Sequence, residues 1–95
     1  MVSKARVVVV DDDDGSRGAM ATGLRRIGCD VVEFDAGEAA VAFIEAGEEI
    51  DVLVTDVRMP GIDGYEVLRR ARERWPAAGI LMVTAFGDVD DAVRA

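Results

Sequence analysis

Four valines in an unbroken row, Val7–Val10, run straight into four aspartates, Asp11–Asp14. An apolar run with no polar alternation is the pattern of a strand buried on both faces, as in parallel sheets covered by helices on each side. The acids that follow at once must stand where the strand leaves the core. This junction points to a parallel sheet that presents carboxylates at the ends of its strands.

The rest of the chain repeats the alternation. Val52-Leu53-Val54 and Ile80–Val83 read as further strands buried on both faces, whereas Val31–Phe34 carries Glu33 mid-run and reads as an edge strand. Between the strands, Ala19, Met20, Leu24 and Ile27 recur at helical spacing, with Gly28 as the stop. Ala39, Ala40, Phe43 and Ile44 form a second stripe ending at Gly47. Asp63 and Glu66 are spaced like a capping box and open a third helix, with Val67, Leu68, Ala71 and Trp75 on one face and Pro76 as its end. A fourth helix is expected from about Asp88. The order βαβαβαβα predicts an open, doubly wound parallel α/β sheet with helices on both faces. At 95 residues the chain fits one domain, 1–95.

A net charge of −8 disfavours direct contact with nucleic acid or an anionic membrane surface, both of which call for a basic face. Cys29 is the single cysteine, so no intrachain disulfide forms, and it is expected as a small buried hydrophobe. The apolar run near the N-terminus is too short for a signal peptide or a membrane span, and the expected location is cytoplasmic.

In sheets of this kind, ligands bind beyond the carboxyl ends of the strands. The first run is followed by Asp11 and Asp12, the third by Thr55-Asp56 and the fourth by Thr84-Ala85. Crowded carboxylates repel one another unless a cation lies among them, and Mg2+ suits hard oxygen ligands while keeping positions for water and phosphate. Asp13 and Asp14 are expected to cap the next helix instead. Asp56 precedes Met59-Pro60-Gly61, whose Pro-Gly pair suits a type II turn. A carboxylate beside a metal can attack phosphorus to give an acyl phosphate. Thr84 would offer a hydroxyl to a phosphoryl oxygen, and the small Ala85 would leave room for the donor.

Taken together, these residues resemble the receiver domains of two-component response regulators. Val9-Val10-Asp11-Asp12 is similar to that family's first strand and acidic pair, Asp56–Gly64 to its phosphoacceptor and following loop, and Val83-Thr84-Ala85 to its switch threonine and small neighbour. The stretch Thr84–Val93 further resembles receivers attached to enhancer-binding transcription activators. The resemblance implies a flavodoxin-like sheet with strand order 2-1-3-4. It implies phosphorylation of Asp56 by a sensor histidine kinase, assisted by the domain itself, which is otherwise no enzyme. Mg2+ would be held by Asp12 and Asp56 directly, Asp11 largely through water, and Arg58 through its backbone carbonyl. A C-terminal output domain would receive the signal. Arg58 and Phe86 are expected to border the path of the water that hydrolyses the phosphoryl group, with Phe86 slowing it.

The family's fifth strand, fifth helix and the lysine after that strand have no counterpart before Ala95, the single lysine being Lys4. The sequence therefore reads as a receiver without them, and self-association along the edge strand Ile80–Val83 is expected. Two alternatives stand beside this. Asp12-Asp13-Asp14-Gly15-Ser16 fits the D-x-D-G-[ST] pattern of haloacid-dehalogenase-type phosphatases, which would make Asp12 the nucleophile. Or the domain is a self-associating module that takes no phosphoryl group.

Overall fold

The computed structural model describes residues 4–83. In chain order the elements are β1 (Arg6–Val10), α1 (Asp14–Arg26), β2 (Asp30–Phe34), α2 (Gly37–Glu45), β3 (Val52–Asp56), α3 (Gly64–Arg74) and β4 (Gly79–Val83). The strands form one parallel sheet in the order β2-β1-β3-β4, as the resemblance implies. The helix expected from Asp88 lies outside the described residues.

Side chains alternate across β1 as the pleat requires. Val8 and Val10 join Leu53 in a core roofed by α2 and α3, with Ala40, Val41, Ile44, Val67, Ala71 and Trp75. Val7 and Val9 face the other way, with Val31, Val54 and Ala21 of α1. Beyond Arg6 the central strand is thus buried on both sides, which is why Val7–Val10 includes no polar residue. The Phe34 and Phe43 rings meet at a tilt and the Phe43 and Trp75 rings edge to face along the α2 side, at centroid distances of 5.2 and 6.3 Å.

Several expectations shift on contact with the packing. In α1 the buried face is Ala21 with Met20 and Leu24, whereas Ala19 is exposed and Ile27 is 77% exposed. Ile27 is the C-cap, where the chain is already leaving the helix. The Cys29 N–H bonds to the Leu24 carbonyl and the Gly28 N–H to that of Arg25, both at 3.0 Å, closing a Schellman turn with Gly28 at φ 95°. This exit leaves Cys29 half-buried rather than enclosed. In α2, Val41 takes the buried place expected for Ala39, because the helix turns its 37/40/41/44 face to the sheet. β4 is a strand as expected but is not buried on both faces: Leu81 is 57% exposed and Ile80 half-buried. Among the described residues it pairs with β3 alone, and that single neighbour accounts for the exposure.

Candidate functional site

Register places the acids. Val10 of β1 lies opposite Thr55 of β3, so the residues that follow, Asp11 and Asp56, emerge side by side at the carboxyl edge of the sheet. Asp12 follows on the loop. Carboxylate oxygens of Asp11, Asp12 and Asp56 all lie within 4.8 Å of one another. Asp11 is only 5% exposed, Asp56 half-buried and Asp12 open to solvent.

The loop on the β1 side is held by hydrogen bonds that spend none of Asp12. The Asp13 N–H donates to Asp11 Oδ1 at 2.9 Å. Asp13 caps α1, accepting from the Ser16 N–H at 2.7 Å, and this bond holds its carboxyl below the usual range. Asp14 turns to Arg17 Nη2 at 2.7 Å. Both behave as helix-start acids, and the cluster contains neither. The phosphatase pattern loses its support here, since its second acid, Asp14, is engaged elsewhere.

The β3 side is shaped by close backbone approach. The Thr55 hydroxyl, fully buried, donates to the Asp56 carbonyl at 3.0 Å. The Gly64 N–H donates to the Val57 carbonyl at 2.9 Å, and a Cβ on Gly64 would collide with the Asp56 carbonyl. Pro60-Gly61 turns as expected, with Gly61 at φ 76°. Asp63 then caps α3 through the Glu66 N–H at 3.1 Å. The Glu66 carboxylate is taken up by Arg69 and Arg70.

Burial pushes the Asp56 carboxyl above the ordinary range, reinforced by the neighbouring Asp11 and, less strongly, Asp12, with the Val57 and Arg58 N–H groups pulling it back down. Three hard oxygen donors that repel one another form a set a divalent cation would fit, because the cation removes the repulsion that burial sharpens. Asp11, Asp12 and Asp56, expected as ligands, are therefore brought together. Arg58 sits on the adjoining loop. Thr84, Ala85 and Phe86 lie outside the described residues. Arg17 and Gly64 were not anticipated. The signal for Arg17 was its place as the one basic residue in the first two turns of α1, directly behind the acids.

Comparison with known proteins agrees with this geometry. Residues 7–95 match the family described as the response regulator receiver domain. The response regulator protein FleR of Pseudomonas aeruginosa is 40% identical over 91 residues, which are 96% of this chain and 19% of FleR. The transcriptional regulatory protein FixJ of Azorhizobium caulinodans is 41% identical over 91 residues, 94% of this chain and 42% of FixJ. The chain thus spans less than half the length of either. Among solved structures, the response regulator TrrA of Thermotoga maritima, in complex with Mg2+ and BeF, superposes with a TM-score of 0.81 at 29% identity, covering 92% of this chain and 75% of that one. With its strand order, its acidic edge and these likenesses, the chain belongs to the response regulator receiver domain family.

Proposed function

We propose that this domain accepts a phosphoryl group on Asp56 from a phosphohistidine of a sensor histidine kinase and passes the change to an output domain. The observation that carries the proposal is the convergence of the Asp11, Asp12 and Asp56 carboxylates at the ends of two adjacent strands. A carboxylate oxygen of Asp56 attacks phosphorus, the P–N bond of the donor breaks, and its electron pair returns to the imidazole. Asp11, Asp12, Asp56 and the Arg58 carbonyl would hold Mg2+. Bound there, the cation supplies charge neutralisation for the phosphoryl oxygens. The Val57 and Arg58 N–H groups draw the Asp56 carboxyl back toward its ionised form against burial and the neighbouring acids, and that form is the nucleophile. Thr84 would donate its hydroxyl to a phosphoryl oxygen, and Ala85 would keep the approach open. FixJ is named as a transcriptional regulatory protein, and this chain matches 42% of its length, which supports a transcriptional output in a longer protein.

Incubation with acetyl phosphate and Mg2+, followed by intact mass measurement, tests the proposal. The expected result is a single phosphoryl adduct that disappears with chelator and in Asp56→Asn. An adduct that forms equally well in that variant, or no adduct at all, would count against it; the latter outcome favours the self-associating module.

A further inference from the structure

Asp11 is the most buried member of the cluster, and its backbone is fully committed. Its N–H donates to the Phe34 carbonyl at 3.1 Å. Its own carbonyl oxygen accepts from Arg17 Nη1 at 2.9 Å. That oxygen belongs to the peptide plane joining Asp11 to Asp12, so whatever fixes it restrains the backbone from which both acids project.

Arg17 is in turn immobilised. Its Nη2 meets Asp14 at 2.7 Å and its Nε lies 3.6 Å from Glu33 Oε1 on β2, leaving the side chain 17% exposed. Glu33 is steadied from its other side by Arg25 Nη1 at 2.9 Å, while Arg25 Nη2 donates to the Val31 carbonyl at 3.2 Å. One planar fork thereby ties together α1, β2 and the loop that carries the acidic pair. A lysine, with a compact ammonium, cannot make these contacts at once.

From this we infer that Arg17 is a positioning residue for the acidic pair, holding the Asp11–Asp12 peptide so that both carboxylates keep the spacing at which a divalent cation binds. The inference rests on the cation reading given above and adds a residue that does not touch the cation. It has a sign that simple electrostatics lacks. A guanidinium near a cation site repels the cation, so on charge alone its removal should tighten binding. If Arg17 acts by positioning, its removal weakens binding instead, as loss of an outer partner of a metal ligand does.

The test is a Mg2+ titration of the 95-residue chain followed by the backbone amide resonances of Asp12 and Asp13, with thermal unfolding in chelator measured on the same proteins. The expected result is a saturable shift in the unsubstituted chain and an affinity lowered about tenfold in Arg17→Met, with the metal-free protein still folded. Arg17→Lys, which keeps the charge and loses the fork, should be weakened too, though less. Binding by Arg17→Met as tight as the unsubstituted chain, or tighter, overturns the inference and leaves the cation reading intact. Should Arg17→Met fail to fold, Arg17→Lys decides, and an affinity equal to that of arginine overturns the role. No saturable shift in the unsubstituted chain overturns the cation reading and the positioning role with it.

Discussion

At position 64 a missing Cβ decides how closely α3 can approach the end of β3. Any side chain there would strike the Asp56 carbonyl and crowd the Val57 Cα. Backbone has little room to retreat, so Gly64→Ala is expected to destabilise the domain by about 2 kcal/mol, within the range for overpacking. Urea unfolding would measure it, and an unchanged midpoint would show that the loop yields freely. The three acids make an opposite prediction. Because their charges repel at short range, Asp56→Asn should raise the unfolding temperature in the presence of chelator. Saturating Mg2+ should raise that of the unsubstituted chain more than that of the variant, since a ligand stabilises only the state it binds. Differential scanning fluorimetry with and without Mg2+ reads both effects. A variant less stable than the parent in chelator would contradict the account.

Among the elements, α3 shows how local chemistry and packing divide the work. Its cap is local: Asp63→Ala should cost about 1 kcal/mol by chemical denaturation, the usual loss for such a cap. Its exposed face carries Glu66, whose carboxyl is lowered from 4.5 to about 2 by hydrogen bonds from Arg69 and Arg70. A carboxylate with a depressed folded-state value stabilises above its unfolded value of 4.5 and loses that contribution as pH falls toward 2. Glu66→Gln should therefore narrow the stability difference from the parent across that window, modestly, since the pair is solvent-screened. A difference that stays constant on acidification through that window would argue that the ion pairs contribute nothing.

What could be read from the sequence follows the same division. The strands were legible because Val7–Val10 and Val52–Val54 lack any polar residue, and only burial on two faces tolerates that. The acids at the strand ends were legible for the same reason, since a charge adjoining a buried run has one place to go. The face of α1 was not, because Ala19 and Ala21 are the same residue type and only the docking angle selects Ala21. Nor were the grip of Arg17 on the Asp11 carbonyl and the approach of Gly64 to Asp56, which depend on how elements meet in space. The exposure of β4 depends on what lies beside it, which its own apolar residues cannot state.

For the whole molecule, the edge at β4 and the acidic edge carry the consequences. Among the described residues, β4 has a partner on one side only and presents Leu81 to solvent with no charge or proline along Gly79–Val83. Such an edge is a template for another strand. The acidic edge carries the central claim, that Asp56 is the group that takes the phosphoryl. Trapping the acyl phosphate by borohydride reduction and locating the altered residue by peptide mass spectrometry tests this most directly. The account predicts modification at Asp56 alone and only with Mg2+ present. Modification at Asp12, or at no aspartate of the cluster, would contradict it.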